Sequence, residues 1–268
     1  MLIGITGTSG VLGIQLAKYC LKQGHTVRGI DRDEARTKLE GVDVKTVNLT
    51  KFDDVVEALK GCQAVIHAAA IPCPGRVPDH ETHNNCNAIG MAYGPWQRHY
   101  TQFPLTEDEP SGAADAYALS KVICELQAEV ICRANPDMTI ASMRPSMCIE
   151  KYLDSFSDPK VKGCKIDDET ISNKTARNEC WSWTHTAELA DASLKALVQA
   201  EWKGHEVFWI IAPRTQLADK GNTSFTTQEL VDKYYPNTPV RPGWFDEDKG
   251  RGVISCEKAE RMLGWKHR

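Results

Sequence analysis

The sequence predicts an α/β protein in which a doubly wound, mostly parallel sheet carries a small C-terminal lobe. Short apolar runs alternate with stretches whose apolar residues recur at helical spacing, and the first run ends in the loop Gly7-x-x-Gly10-x-x-Gly13. Strands that alternate with helices form parallel sheets with right-handed crossovers. The 268 residues, 41% of them hydrophobic and 25% charged, are enough to bury the core of such a sheet.

The first part of the chain contains four predicted strands and two predicted helices. Each strand is a short apolar run, and each helix repeats apolar residues every three or four positions. In chain order these elements are strand 2–6, helix 11–21, strand 26–30, strand 44–47, helix 52–59 and strand 64–67. The last of these strands is apolar up to its final residue, so we expect it to be buried.

The pattern weakens between residues 68 and 110 and returns afterwards. Helices are predicted over 117–132 and 187–200, and strands over 138–143 and 206–211. The segments 148–179 and 217–244 are polar and irregular, which is typical of a lobe above the carboxyl edge of a sheet. We therefore predict a nucleotide-binding domain over residues 1–147, completed by 186–213, and a small substrate-binding lobe formed by 148–185 and 214–268.

Composition favours a small-molecule ligand. A net charge of −4 and a pI near 6.1 argue against nucleic acid or an anionic membrane as partner, because either would require a basic patch. No leader-like segment or long apolar stretch occurs, so we expect a cytoplasmic protein. The ten cysteines include no C-x-x-C pair, so we predict no metal site and expect most of them in the core.

The glycine loop lies where the first strand meets the first helix. Its missing side chains permit a tight turn and close approach of the backbone to a pyrophosphate, while the N-terminus of the helix attracts phosphate groups. A simple tight turn is the alternative interpretation. The predicted cofactor-binding loop consists of Gly7, Thr8, Ser9, Gly10, Val11, Leu12 and Gly13.

Asp31 closes the second strand, where a carboxylate can accept hydrogen bonds from both hydroxyl groups of an adenosine ribose. Its charge would repel a 2′-phosphate, which favours NAD over NADP. The neighbouring Arg32 leaves NADP open, because a guanidinium there can bind that phosphate. A solvated surface charge is an equally good interpretation of Arg32.

Small or amide side chains follow the third and fourth strands. Asn48 and Leu49 follow the third strand, and Ala68, Ala69 and Ala70 follow the fourth. We predict that they flank the adenine and the backbone of the cofactor, although packing and loop chemistry would also explain them. His67 is interpreted as a hydrogen-bonded residue at a strand end rather than as a catalyst.

Tyr117 and Lys121 are four residues apart in a predicted helix, so their side chains share one face. An ammonium near the phenol would favour its ionised form. The pair could therefore exchange a proton with a substrate near neutral pH. A surface tyrosine beside a solvated lysine is the alternative.

These motifs come in the order seen in extended short-chain dehydrogenases/reductases, and the chain resembles the NAD-dependent epimerase/dehydratase family, whose core is a Rossmann fold. The resemblance rests on the glycine loop, Asp31, the acidic loop 105–110, Tyr117-Ala-Leu-Ser-Lys121 and Arg144-Pro145. Further matches are His67-Ala-Ala-Ala70, Tyr93-Gly94 and a C-terminal helix over 258–266. The resemblance covers nearly the whole chain, but it is much less specific for the substrate.

The resemblance implies roles for individual residues. Tyr117 would be the catalytic acid/base, Lys121 would bind the nicotinamide ribose and lower the pKa of the tyrosine, and Pro145 would lie against the nicotinamide. Glu188 occupies a position where the family has Asp, and we predict a structural role for it as a helix cap. A homodimer built on two long helices is usual in this family.

The resemblance fails at one place. The family has a hydroxyl residue shortly before the segment 87–94, but Asn84 and Asn85 stand there, and about one βα unit is missing after the fourth strand. Either the chain rearranges locally or it is a truncated or misassembled version of a longer sequence. The sequence thus supports an NAD(P)-dependent oxidoreductase acting on a carbinol of a sugar or sugar acid, with a non-catalytic NAD(P)-binding protein as the alternative.

Overall fold

The structure is a computed structural model and describes residues 1–32, 39–70, 99–113, 116–149, 179–215 and 225–267. Its first half contains β1 (Leu2–Thr6), α1 (Val11–Lys22), β2 (Thr26–Asp31), β3 (Val42–Thr46), α2 (Phe52–Leu59) and β4 (Ala64–His67). Its second half contains α3 (Ala116–Ala134), β5 (Thr139–Pro145), β6 (Met147–Ile149), β7 (Trp183–His185), α4 (Thr186–Val198), β8 (Gly204–Ile210), α5 (Thr227–Tyr234) and α6 (Glu257–Leu263).

The first four strands form one parallel sheet in the order β3-β2-β1-β4. The register pairs Thr6 of β1 with Ile30 of β2 and with His67 of β4. All four carboxyl ends therefore lie at one edge of the sheet, which is where ligands bind in doubly wound α/β folds. The predicted α/β class and the parallel sheet are confirmed.

The later strands form two separate parallel pairs, β5 with β8 and β6 with β7. In the part of the chain that the structure describes, no ladder joins β4 to β5. This discontinuity lies where the sequence analysis predicts a missing βα unit, whose strand would pair with both β4 and β5. In the described residues the two main pieces of the sheet are therefore the four-stranded sheet and the β5–β8 pair, beside the short β6–β7 pair.

Helix α4 packs against both pieces of the sheet. Its residues Ala190 and Leu194 belong to the core that contains Ile3 and Ile5 of β1. On another side, Leu189 packs into the core that contains β8 and α6. Because this helix buries one side against each piece, it holds them together although their strands are not paired.

Two sequence predictions need correction. β4 is not fully buried, since its residues alternate between half-buried and exposed and Val65 is 42% exposed. The reason is that β4 ends the four-stranded sheet instead of lying inside it. The segment 217–244, predicted to be irregular, contains α5, whose start is fixed by a reciprocal capping box between Thr226 and Glu229.

The loops that precede α3 and follow β8 share an aromatic core. Phe103 and Leu105 are bridged to Val240 and Ile254, so the segment before α3 is tied to the C-terminal part of the chain. The buried residues of this core are Tyr100, Phe103, Leu105, Cys180, Trp181, Trp209, Ile211, Leu230, Val231, Tyr235, Trp244, Phe245, Val253 and Ile254.

The described cysteines are all free, and Cys20, Cys132 and Cys180 are buried. Burial raises the pKa of Cys20 to about 11, so this thiol stays protonated and packs as a small apolar side chain. Among the residues with assigned coordinates, no three His, Cys, Asp or Glu side chains are grouped so that they could hold a metal ion. Within those same residues, no helix combines the length and apolar character needed to cross a bilayer.

Candidate dinucleotide and catalytic site

The glycine loop connects β1 to α1 at the carboxyl edge of the sheet. Gly7 has a φ of +75°, and a Cβ there would lie 2.7 Å from the backbone of Ala69, so only glycine fits. The amide of Gly7 donates to the carbonyl of Ile30 at 2.8 Å, and the amide of Gly10 donates to Gly7 O at 3.0 Å. These bonds fix the loop beside β2 and β4.

The start of α1 has no side-chain cap. Gly10 is the N-cap residue, and the first turn of the helix contains no acidic side chain. Val11 is 57% exposed, while Leu12 packs against the core and Gly13 is buried. The first amides of the helix and its positive dipole end therefore face the carboxyl edge of the sheet, as phosphate binding requires.

Asp31 contacts the glycine loop directly. Its Oδ2 accepts a hydrogen bond from the amide of Ser9 at 2.8 Å, and its Oδ1 accepts one from the amide of Arg32 at 2.8 Å. The carboxylate is thus oriented by two backbone amides next to the loop. Arg32 itself is exposed. Thr8 is fully buried and packs against β2 at Gly29.

The predicted residues after β3 and β4 also lie at this edge. Asn48 is exposed, and its Oδ1 accepts hydrogen bonds from the amide and the hydroxyl of Thr50 at 3.1 and 2.9 Å, which forms an Asx turn. Leu49 is half-buried. The structure therefore explains Asn48 through its own turn, and its predicted contact with adenine stays a prediction.

The small residues after β4 lie against the glycine loop. The amide of Ala68 donates to Thr6 O at 3.3 Å, and the amide of Ala69 donates to Thr6 Oγ1 at 3.3 Å. Ala70 is exposed. Any larger side chain near Ala69 would approach Gly7, because the two backbones are in contact.

His67, the last residue of β4, contacts the end of β1. Its Nδ1 lies 2.8 Å from Thr6 Oγ1, as expected for a hydrogen-bonded residue at a strand end. Desolvation by the surrounding protein and then the positive charge of Lys121 lower the pKa of His67. Lys121 is 4% exposed. Its ammonium therefore lies within electrostatic reach of the residue that contacts the end of β1.

Tyr117 occupies the first turn of α3, one turn before Lys121. Its side chain lies outside the described residues, so the predicted contact between phenol and ammonium stays a prediction. Position 117 itself lies at the N-terminal end of α3.

Arg144 joins three elements next to Pro145. Its Nε and Nη2 donate to the two carboxylate oxygens of Glu125 at 2.8 and 2.7 Å, and its Nη1 donates to the carbonyl of Glu107 at 3.1 Å. The Oε1 atom of Glu107 accepts from the amide of Trp209 at 2.9 Å. Burial raises the pKa of Glu107, and this amide partly offsets the effect.

Sequence reasoning missed the contact between Glu125 and Arg144. The sequence contains a signal for this contact, because both residues adjoin predicted site residues. Glu125 follows Lys121 by one helical turn, and Arg144 directly precedes Pro145. Pro145 itself ends β5, where it pairs with Ile210 of β8.

The predicted cap at Glu188 is wrong. The N-cap of α4 is His185, whose Nδ1 accepts a hydrogen bond from the amide of Ala187 at 3.1 Å. Glu188 lies in the first turn, where a negative charge still interacts favourably with the helix dipole. The difference arises because the helix begins earlier than its apolar pattern suggests.

Several predictions fall outside the described residues. They concern Asn84 and Asn85 at the family's hydroxyl position and Tyr93-Gly94. The same holds for most of the segment 148–179.

The fold and the site define a class of protein. A parallel β3-β2-β1-β4 sheet with a glycine turn between β1 and α1, and an acidic residue at the end of β2, is the Rossmann arrangement found in dinucleotide-binding domains.

Comparisons with known proteins agree with this class. Residues 3–93 match the model of the NAD dependent epimerase/dehydratase family. A short-chain dehydrogenase/reductase superfamily protein from Agrobacterium tumefaciens, solved with bound NAD, is 18% identical with a TM-score of 0.68 over 100% of this chain and 93% of that chain. The predicted resemblance to the epimerase/dehydratase family is therefore confirmed over residues 3–93, and the solved structure has the same fold.

Two further solved structures have the same fold. UDP-glucose 4-epimerase from Bifidobacterium longum, in complex with NAD+ and UDP, is 16% identical with a TM-score of 0.65 over 100% of this chain and 94% of that chain. MoeE5 in complex with UDP-glucuronic acid and NAD is 17% identical with a TM-score of 0.64 over 100% and 94%. A comparison with curated protein sequences found no match.

Proposed function

We propose that this protein is an NAD-dependent oxidoreductase of the epimerase/dehydratase type that acts on a carbinol of a sugar, a sugar acid or a similar small polar molecule. The observation that carries the proposal is the glycine turn between β1 and α1, where Gly7 has a φ of +75° and the amide of Ser9 donates to Asp31 Oδ2 at 2.8 Å. The proposal that α3 brings its predicted catalytic pair to the same edge is supported by the effect of the Lys121 charge on the pKa of His67, the last residue of β4.

The residues at this edge fit the cofactor. The backbone amides of Thr8 to Gly13 would bind the diphosphate, since the start of α1 carries no acidic cap. Asp31, already oriented by two amides, would accept hydrogen bonds from the ribose hydroxyls, and its charge favours NAD. Arg32 keeps NADP as a second option. NAD, when bound, would supply the hydride acceptor.

Tyr117 and Lys121 would carry the proton chemistry. As hydride leaves the carbinol carbon, the hydroxyl proton passes to the Tyr117 phenolate, and the carbonyl product forms. The positive charge of Lys121 would stabilise that phenolate and would bind the ribose hydroxyls near the nicotinamide. Pro145, at the end of β5, would lie against the nicotinamide face.

The lobe over 148–185 and 214–268 would hold the substrate above the carboxyl edge, with residues 1–147 and 186–213 forming the nucleotide-binding domain. The relatives of known structure contain UDP or UDP-glucuronic acid, which supports a sugar or uronate as substrate class.

The first test measures cofactor binding and turnover separately. Calorimetry with NAD and NADP should show a clear preference for NAD, and a panel of hexoses, uronates and nucleotide sugars should then produce reduced cofactor by absorbance. Tyr117→Phe should lower turnover by roughly a hundredfold or more while leaving cofactor affinity unchanged. Bound NAD with no turnover on the whole panel would contradict the catalytic part of the proposal.

A non-catalytic NAD(P)-binding protein is the second candidate. It is favoured by Asn84 and Asn85 at the family's hydroxyl position and by the break between β4 and β5. Loss of the hydroxyl would remove the donor that polarises the substrate oxygen, which typically costs on the order of a hundredfold or more in rate. Tight NAD binding that is equal in wild type and Tyr117→Phe, without turnover in either, would favour this candidate.

A homodimer through α3 is also proposed. Four apolar side chains at spacings of four, three and four residues line one side of this helix and are 43–55% exposed. They are Leu119, Ile123, Leu126 and Val130.

A further inference from the structure

The Arg144 guanidinium is held in one orientation by contacts to three elements. It binds both oxygens of Glu125 on α3, donates to the carbonyl of Glu107 in the acidic loop, and lies 5.3 Å from the centre of the Trp209 ring on β8. Arg144 and Trp209 are direct partners in the β5–β8 register. A bidentate fork stacked on an aromatic ring is a geometry that lysine cannot reproduce.

The pair is shielded from solvent. The side chains of Arg144 and Glu125 are each 19% exposed, in contrast to the Arg133–Glu129 pair further along the same helix, at 67% and 54%. Exposed pairs contribute little, whereas a bidentate pair with limited solvent access fixes side-chain positions. The Arg144–Glu125 pair can therefore fix the position of the Glu125 carboxylate, whereas the exposed Arg133–Glu129 pair contributes little.

Glu125 lies one helical turn after Lys121, so the two side chains share a face of α3. Both charges act on the thiol between them: burial raises the pKa of Cys124, Lys121 lowers it and Glu125 raises it. If it were not bound elsewhere, a carboxylate at this position would attract the lysine ammonium away from position 117, one turn on the other side.

We infer that Arg144 is a positioning residue for the Tyr117–Lys121 pair. By holding both oxygens of Glu125, it prevents this carboxylate from drawing the Lys121 side chain toward the C-terminal end of α3 and away from Tyr117. The inference rests on the proposed function, because it assigns Tyr117 and Lys121 their roles. It adds one requirement to the catalytic pair: the negative charge of Glu125 has to be bound by Arg144.

The test measures the ionisation of Tyr117 directly and needs no substrate. Tyrosinate absorbance is titrated in the 268-residue protein and in Tyr117→Phe, and the difference isolates Tyr117 among the seven tyrosines. The same difference is measured in the backgrounds Arg144→Gln, Arg144→Lys, Glu125→Gln and Arg144→Gln/Glu125→Gln. Arg133→Gln is the matched control, because it breaks an ion pair on the same helix. Circular dichroism over the titrated range checks that each variant stays folded.

Arg144→Gln should move the Tyr117 ionisation to higher pH, and Arg144→Lys should move it part of the way. Glu125→Gln and Arg133→Gln should leave it near the wild-type value. In the double variant the ionisation should return toward wild type, because the competing carboxylate is gone. If Arg144→Gln does not fold, Arg144→Lys and its double variant with Glu125→Gln provide the same comparison.

Two results would overturn the inference while leaving the proposed function intact. In one, Tyr117 ionises at low pH in wild type and does not shift in the Arg144 variants. In the other, the double variant is as shifted as the single one, which indicates a general structural effect. If Tyr117 ionises like a free tyrosine in wild type, the proposed function itself fails, and the inference fails with it.

Discussion

Single glycines determine the shape of the candidate cofactor site. A Cβ on Gly13 would lie 2.0 Å from Gly7 O and 2.7 Å from Thr8 Cα, so the clash is with backbone atoms that cannot rotate away. A Cβ on Gly10 would meet only Gly7 O, at 3.2 Å. The two positions therefore offer a graded test of how tightly the loop packs on α1.

We predict that Gly13→Ala displaces the loop and weakens NAD binding at least about tenfold, with a loss of unfolding free energy on the order of 1–3 kcal/mol. Calorimetry and denaturant unfolding measure the two effects. Gly10→Ala is the control and should change both quantities less. Equal NAD affinity in wild type and Gly13→Ala would show that the loop does not bind the diphosphate.

The sequence predicted this residue-scale detail well, because glycine spacing and the position of Asp31 are local features. It could not predict that Asp31 would accept a hydrogen bond from the amide of Ser9, since that contact depends on how β1 and β2 align. It also missed Arg144 with Glu125, a contact between residues nineteen positions apart on different elements.

At the scale of elements, hydrophobic periodicity predicted the strands and helices of the sheet to within a few residues. α2 and β4 have the predicted bounds, and α3 and α4 differ by one or two residues at their ends. The burial of β4 was wrong because an apolar run does not reveal whether a neighbouring strand covers it. α5 was missed although Thr226 and Glu229 carry a capping-box spacing, because the surrounding segment is polar.

The paired strands β5 and β8 contain a partly buried polar contact between Ser142 Oγ and His205 Nε2 at 2.8 Å. Burial lowers the pKa of His205 below its ordinary value of 6.5, and the nearby carboxylates of Glu125, Glu129 and Glu206 oppose that effect. Between the folded and unfolded pKa values the unfolded chain binds more protons. The contribution of His205 to stability is therefore present above pH 6.5 and is lost as the pH falls below it.

We predict that the unfolding free energy of wild type falls as the pH is lowered from about 7.5 to about 5.5, and that His205→Gln reduces this dependence. Denaturant unfolding at both pH values measures the unfolding free energy of wild type and of His205→Gln. His25→Gln, which replaces a histidine outside the β5–β8 contact, is the control. A steeper slope in His205→Gln would mean that the sign of the pKa shift is wrong.

At the scale of the whole molecule, α4 packs against both the four-stranded sheet and the β5–β8 pair, between which the described strands form no ladder. The sequence indicated a missing βα unit, but periodicity alone does not say how the remaining strands rearrange. Periodicity did not predict that α4 packs against both pieces of the sheet with different sides. Side-chain packing across distant segments depends on the finished fold.

The exposed apolar side of α3 predicts the oligomeric state. Wild type should be a dimer by light scattering at micromolar concentration, and Leu126→Lys together with Val130→Lys should shift it to a monomer, because buried lysines would lose their hydration. Phe52→Lys on α2 is the control, since Phe52 is 79% exposed on another helix, and should not change the mass. A monomeric wild type would contradict this prediction.

Helix α4 also carries the polar contacts that connect the two ends of the chain. Tyr19 of α1 donates a hydrogen bond to Asp191, and Lys195 donates to the carbonyl of Gly264 at 2.8 Å. During synthesis on the ribosome, β1 and α1 emerge long before the helix that covers them. The apolar surface of β1 and α1 therefore stays uncovered until α4 has been translated. We expect chaperones to protect that surface during this time.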